Sequence, residues 1–332
     1  MLAVLRKMTN RYQHWRPTVL LDVLKKRATL LSQLRAFFYA RNILEVDTPA
    51  LSIAGNTDPH VESFSTHYTG PGEAETLYLH TSPEFAMKRL LAAGSGAIYQ
   101  LCKVFRNGEA GRQHNPEFTM LEWYRTGFDH HELMEEVSEL LDEVMGHSPT
   151  PIIKMTYQEA FIKYAGIDPL DTNPEALADC AYQHGLEQVI GMADASVDDW
   201  CDLLVDQVVI PAFGKSRVLI YDYPVSQAAL ARISQKDPRV AERFELFING
   251  IEIANGFHEL TDAAEQRLRF EEENIERHKK GLVQLPIDEN LISALEAGLP
   301  NCAGIAIGID RLLMLITAED TISAVTSLSS TE

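Results

Sequence analysis

The sequence predicts a mixed α+β fold, and three local patterns carry that expectation. Lys103 to Tyr124 (KVFRNGEAGRQHNPEFTMLEWY) places two apolar runs around a loop with two glycines and a proline, which reads as an antiparallel hairpin. Val104 and Arg106 on the first run, and Phe118, Met120, Glu122 and Tyr124 on the second, keep a period of two, with Asn107 to Pro116 as the connection. Asn249-Gly250, between the apolar runs of Arg243 to Gly256, is the strongest local signal for a two-residue hairpin turn. Helices come between. Ala28 to Ala40 has apolar residues at helical spacing, and Asp129 is placed to cap a helix running to about Met145 before Ser148 to Pro151 break the chain. Residues 1 to 25 read as basic and irregular. From Tyr157 to Phe213 the pattern is helical with Gly and Pro punctuation, and strands resume after it.

Composition narrows the classes. A chain of 332 residues accommodates two domains or one larger α+β domain. Its 45% hydrophobic and 23% charged residues fit a folded globular protein without low-complexity tracts. The four cysteines, Cys102, Cys180, Cys201 and Cys302, are widely separated and form no CxxC pair, so they suggest neither a disulfide framework nor a zinc site, and a reducing cytoplasm is the simplest setting. Leu2 to Leu5 is too short for a signal-peptide core, and the most apolar later stretch is broken by Asp310 and Arg311, so no membrane span is expected. A formal charge of −19 repels polyanions, which counts against tRNA or DNA and favours a basic protein partner.

The two hairpins carry the chemistry. Glu122 and Tyr124 sit one pleat apart on one face, a carboxylate and a phenol suited to an ammonium, while Arg106 at the end of the facing strand suits a phosphate. Opposite preferences suggest two substrates. Counting outward from Asn249-Gly250, Phe247 faces Glu252, so Glu245, Phe247 and Glu252 share a sheet face. The two carboxylates read either as a solvated face or as ligands for a hard cation such as Mg2+ with ATP phosphates. Arg106 and Arg311 are placed to hold those phosphates or, taken singly, to form surface ion pairs; Asp310 is read as the cap of the helix after it, and Gly308 as a close backbone approach. His130, His131 and His258 read as local hydrogen-bonding residues rather than metal ligands. Gly214-Lys215-Ser216 lacks the earlier glycine of a phosphate loop, since position 209 is Val209.

Together these runs resemble the class II aminoacyl-tRNA synthetases in their lysine-type form. HNPEFTMLEWY at His114 to Tyr124 resembles motif 2, EVDTPAL at Glu45 to Leu51 with Pro49 resembles motif 1, and GIAIGIDRLLML at Gly304 to Leu315 with Arg311 resembles motif 3. TSPEF at Thr81 to Phe85 and RFELFINGIEIANGFHEL at Arg243 to Leu260 match the lysine branch, so the resemblance spans nearly the whole chain. It implies a catalytic domain over 27–332, an antiparallel sheet flanked by helices, with a tail over 1–26 and a helical insertion at about 157–213. It also implies ATP binding by Arg106, Asn107, Gly108, Glu109, His114, Asn115, Phe118, Glu252, Ile253, Gly308 and Arg311, with Arg106 and Arg311 catalytic, and Mg2+ on Glu245 and Glu252. For the amino acid it implies Ser82, Pro83, Glu84, Glu122, Tyr124, Asn255, Phe257, Glu259 and Ala306.

Three departures refine the resemblance. Arg106 is followed by Asn107 and Gly108 before Glu109, where class II motif 2 has arginine, one residue, then glutamate; either the glutamate has slipped or the loop is shaped differently. Ala306 stands where lysyl-tRNA synthetases have glycine, and a methyl in a tight pocket is worth roughly 1–3 kcal/mol of discrimination. Only 44 residues precede Glu45, which leaves no room for the anticodon-reading barrel. In these respects the chain resembles the elongation factor P β-lysine ligase family. That implies activation of (R)-β-lysine by ATP and transfer to a lysine ε-amine of elongation factor P by a cytoplasmic homodimer, without tRNA or membrane. The alternatives are a truncated lysyl-tRNA synthetase paralogue using α-lysine and a catalytically silent synthetase-like regulatory subunit.

Overall fold

The first hairpin forms where the period of two places it: strand β5 (Ile98–Phe105) pairs antiparallel with β6 (Glu117–Thr126), Val104 opposite Phe118 and Ile98 opposite Tyr124. The computed structural model describes residues 17, 19–71, 75–146, 151–186, 192 and 195–328. Leu2 to Leu5, residues 1–16 of the expected tail, and residues 148–150 of the expected break lie outside them.

The second hairpin, β9 (Val240–Ile248) and β10 (Ile251–His258), turns on Asn249 and Gly250, both with positive φ (54° and 73°), the type I′ geometry that Asn-Gly favours. Phe247 pairs with Glu252 as expected, but a bulge between Glu252 and Ala254 then sets Glu245 opposite Asn255. Strict alternation would turn Asn255, Phe257 and Glu259 away from the face of Glu252; the extra residue brings all four to one face.

β11 (Cys302–Gly308) lies between the hairpins, pairing antiparallel with both β6 and β10. With β1 (Leu44–Glu45), β7 (Ile153–Thr156) and β8 (Arg217–Pro224) the eight strands run β1-β5-β6-β11-β10-β9-β8-β7, parallel only at the β1/β5 and β7/β8 ends. A small sheet of β2 (Leu51–Ser52), β3 (Ser65–Tyr68) and β4 (Glu75–Leu79) stands beside it.

One face of the large sheet packs on α1 (Leu21–Ala40), α3 (His130–Met145) and α9 (Ile309–Thr317), where Phe38, Trp123, Leu140, Ile305 and Leu313 form the main core. Asp129 does cap α3, in a capping box with Glu132. Helix α1 begins seven residues earlier than the periodicity suggests: buried Val23 extends the stripe of Leu30, Leu34, Phe37 and Phe38, and Arg27 bonds Asp310 and the Val325 carbonyl. The other face is covered at one end by α2 (Glu84–Ala92), α7 (Ala263–Lys279) and α8 (Glu289–Gly298) through Met87, Leu91, Phe270 and Leu291. Between β7 and β8 the helices α4 (Tyr157–Tyr164), α5 (Pro174–Gln183) and α6 (Val197–Leu204) pack with Val218, Ile220 and Phe247 in a separate core. No helix among the described residues is long and apolar enough to cross a membrane.

Candidate active site

The open part of the sheet's second face is the floor of a cavity of about 350 Å3. At its inner end β6 presents Glu122 and Tyr124, whose phenol donates to Glu122 Oε1 at 2.7 Å. Ser82 Oγ donates to Glu122 Oε2 at 2.6 Å and accepts from the Glu84 amide at 3.0 Å, so the turn into α2 is locked to the floor. One helical turn on, Lys88 reaches Glu84 at 2.7 Å and Glu259 at 2.6 Å and is 1% exposed. Beneath them Gly304 faces Tyr124 and Phe257 in register; a Cβ there would lie 2.3 Å from the Tyr124 ring and 2.6 Å from Glu259 Oε1. Only glycine fits.

Arginines dominate the outer end. Arg311 on α9 donates to the Glu252 carbonyl at 2.9 Å, to Glu252 Oε2 at 3.3 Å and to the Gln113 carbonyl at 3.3 Å, and its Nη2 meets His114 Nε2 at 2.6 Å. Arg106 lies over Phe118 and reaches the Thr81 carbonyl and Glu109 Oε1, both at 3.4 Å. The slipped Glu109 thus still lines the cavity, as do Asn115, Ile253, Asn255, Phe257, Ala306 and Gly308.

Four expected site residues stand outside the lining. Pro83 is buried at the start of α2, and Asn107 and Gly108 are exposed, the Asn107 backbone N–H donating to the Glu62 carbonyl at 2.8 Å. Glu245 is bonded by Arg243 and by the Tyr223 hydroxyl, the latter at 2.7 Å. Asp310 is not the helix cap: it already lies in the first turn of α9, behind the N-cap Gly308, and accepts from the Thr119 amide at 2.7 Å and from Arg27. Gly308 has φ −75° and room for a Cβ, whose nearest neighbour would be Arg311 Cδ at 3.9 Å, so the fold alone does not require glycine there.

The inner end is short of positive charge. Three carboxylates, Glu84, Glu122 and Glu259, face one ammonium. Burial first, then repulsion from Glu84, pushes Glu122 up to about 7. Burial likewise raises Glu259 to about 8 despite Lys88, with Glu84 adding to the rise. Burial alone would lower Lys88, but Glu259 and Glu84 outweigh it and keep the ammonium charged. A cationic ligand would take the place of the protons these acids retain. At the outer end burial and Arg311 lower His114, so its imidazole is neutral at pH 7. Burial, opposed by Arg243 and reinforced by Glu252, raises Glu245. Both oxygens of Glu245 are taken, by Arg243 and Tyr223, so a hard divalent cation completed by phosphate oxygens fits Glu252 first and would use Glu245 only by displacing one of those bonds.

Sequence reasoning missed Lys88, Arg243 and Glu273. The first stands four residues after Glu84 on a helix, the one spacing that could have paired them. Arg243 lies one pleat before Glu245. Glu273 is a cavity-wall residue pushed up to about 7 by burial and bonded by Thr57 on the loop opposite; nothing in the α7 sequence marks it.

An antiparallel sheet with a motif 1-type parallel edge strand, and with a carboxylate-rich and an arginine-bearing end to one cavity, defines a class II synthetase-type catalytic core. The family tRNA synthetases class II (D, K and N) matches residues 4–332, and the chain belongs to it. It is 53% identical over 323 residues to the elongation factor P (R)-β-lysine ligase of Vibrio cholerae, covering 96% of this chain and 98% of that one. The enzymes of the same name from Vibrio atlanticus (51% over 316 residues, 94% and 97% covered) and Photobacterium profundum (50% over 323, 95% and 98%) are similar throughout as well.

Proposed function

We propose that this chain is an ATP-dependent ligase that activates (R)-β-lysine as an adenylate and transfers it to the ε-amine of a lysine on elongation factor P. The observation that carries the reading is the cavity's polarity: three carboxylates, Glu122 and Glu259 buried and Glu84 partly so, with one ammonium at one end, two arginines at the other. In this reading Glu84, Glu122 and Glu259, with Ser82, Tyr124, Asn255 and Phe257 around them, hold the two ammonium groups of the amino acid, and Ala306 shapes its bed. Arg106 and Arg311 hold ATP, with Glu109, His114, Asn115 and Phe118 about the nucleotide. The amino acid carboxylate attacks the α-phosphorus, pyrophosphate leaves, and the arginines stabilise the charge that develops. A neutral lysine amine then attacks the acyl carbonyl, AMP departs and the amine proton is lost to solvent or to a neighbouring base.

Glu252 and Glu245 would hold Mg2+, which when bound neutralises charge on the phosphates. The enzyme is proposed to act as a homodimer through the face around motif 1, where Tyr39, Leu44, Leu51 and Ile53 are exposed. A cytoplasmic setting agrees with the four free cysteines, and the charge of −19 agrees with a protein rather than tRNA acceptor.

The test is ATP–pyrophosphate exchange with (R)-β-lysine, α-lysine and no amino acid, followed by mass analysis of elongation factor P. Exchange preferring (R)-β-lysine and a matching mass gain on the protein are expected. Preference for α-lysine with label on tRNA, or no exchange, would refute the reading.

A further inference from the structure

Behind the floor of the cavity, on the sheet face that carries α3, three side chains converge that the proposed chemistry does not use. His130 is the first residue of α3, Glu242 lies on β9 and His258 ends β10. One donor atom from each lies within 4.8 Å of the others. His258 Nδ1 meets Glu242 Oε2 at 2.5 Å, and His130 Nδ1 lies 3.9 Å from the same oxygen. His130 is 4% exposed, and neither of its ring nitrogens has a hydrogen-bond partner. A buried imidazole left without partners on both sides is uncommon enough to need an explanation.

The outer nitrogens supply one. His258 Nε2 meets Asn301 Oδ1 at 2.9 Å, and His130 Nε2 points to Asp222 Oδ1 at 3.5 Å. The Asn301 oxygen favours the His258 tautomer that turns an unprotonated Nδ1 toward Glu242, and Asp222 stands behind His130 Nε2 without bonding it. That oxygen–histidine arrangement is how proteins orient imidazoles on a metal. We infer that His130 Nδ1, His258 Nδ1 and Glu242 Oε2 form a binding site for a transition-metal dication, Zn2+ first among them.

Size and charge agree. Tetrahedral Zn2+ with ligands at about 2.0–2.1 Å needs donors about 3.3 Å apart, and the contacts of 2.5 and 3.9 Å bracket that spacing. The three donors lie within 4.8 Å of one another, so the side chains would close on the ion. The ion would replace the hydrogen bond between His258 Nδ1 and Glu242 Oε2, and a proton held there would leave to solvent. Two neutral imidazoles and one carboxylate leave a position for water, and the Asp222 side chain, 28% exposed, marks the side on which the cluster meets solvent.

The experiment uses the full-length protein freed of any affinity tag, equilibrated with Zn2+ in the presence of excess Mg2+, and reads bound zinc by mass spectrometry. Thermal unfolding with and without the metal accompanies it. One zinc per chain and a zinc-dependent rise in melting temperature are expected, with both lost in Glu242→Gln and His130→Gln. Asp222→Asn should weaken zinc about 10–100-fold. That variant guards against simple misfolding, because Asp222 has φ 57° and asparagine tolerates the left-handed region. Zinc absent from the parent protein, or bound equally by all the variants, would overturn the site and leave a proton-sharing histidine cluster in its place.

Discussion

Gly304→Ala tests the packing of the cavity most directly. The residue lies in β11 opposite both Tyr124 and Phe257. In a strand interior the change from Gly to Ala would by itself stabilise by about 0.5–1 kcal/mol. Here the added Cβ falls 2.3 Å from Tyr124 Cε1 and 2.6 Å from Glu259 Oε1, more than about 1 Å inside an ordinary contact. Neither neighbour yields easily: Tyr124 is buried and bonded to Glu122, and Glu259 is held by Lys88 at 2.6 Å. The wall must shift by about 1 Å, which costs roughly 1–3 kcal/mol of stability before the strand gain is returned. Displacing binding groups that far lowers kcat/KM on the order of 100-fold. Urea unfolding and amino-acid-dependent pyrophosphate exchange measure the two effects. Gly308→Ala is the companion, because its Cβ would meet only Arg311 Cδ at 3.9 Å. It should leave stability within about 0.5 kcal/mol, so any loss of exchange there reports close approach of nucleotide. A Gly304→Ala enzyme as stable as the parent and within threefold of its activity would refute the packing argument.

Three further outcomes follow from the same residues. Lys88→Met removes the only ammonium between Glu84 and Glu259 and should cost about 3–5 kcal/mol; the loss should be smaller at pH 6 than at pH 8.5, since protonation relieves the carboxylates left behind, and equal losses in urea unfolding at both values would count against the pairing. Arg311→Ala should lower the rate of adenylate formation about 100–1,000-fold with little change in amino-acid binding, and a raised KM at unchanged kcat would mean a ground-state role. The third outcome concerns pH. Glu122 and Glu259, held up to about 7 and about 8, bind more protons folded than unfolded, where a glutamate titrates near about 4.3. Their contribution to stability is complete below that value and lost as pH rises through the folded pKa values. Binding of a cationic amino acid expels those protons, so its affinity should rise between pH 6 and pH 8, by up to about tenfold per unit for each proton displaced. Isothermal titration in buffers of different ionisation enthalpy counts the protons, and a flat profile would dismiss the charge deficit.

The elements legible in the sequence were those whose signals are local. The Asn-Gly turn requires positive φ at two successive residues and fixed the β9/β10 register as far as Glu252. The Asp129 cap carries its own partner three residues on, and the β5/β6 hairpin keeps its alternation throughout. Helix α1 was underestimated because Asp22, Lys25, Lys26 and Arg27 look like a solvated tail; Asp22, Lys25 and Lys26 do sit on the outward side of a helix whose inward side is Val23 and Leu30. Arg27 turns inward only because Asp310, nearly three hundred residues away, meets it. The bulge at Glu252 has no proline or glycine to announce it and follows from the demand that Glu252 and Asn255 share a face.

The site was legible through motifs of residues that line the cavity, and illegible where a side chain acts on another side chain rather than on the cavity. Lys88 is the clearest case. In sequence it is one more lysine in an amphipathic helix, and such residues are mostly solvated. Only in the folded protein does its ammonium meet Glu259, just past the end of β10 and 171 residues away. The consequence reaches the ligand. With Lys88 satisfying about one of the three carboxylates, the remaining deficit asks for more than one positive charge close to the cavity floor. An amino acid with two ammonium groups supplies that, and one with a neutral side chain does not. The same accounting applies to the companion end, where Arg311 is now shared between Glu252 and His114 and, in the proposed function, would exchange at least one of them for a phosphate oxygen of ATP. Glu252, released from Arg311, would then be left with Arg243, already bonded to Glu245, as the neighbouring cation. In the proposed reading, the phosphate that takes the arginine would thus favour a divalent ion beside the two carboxylates.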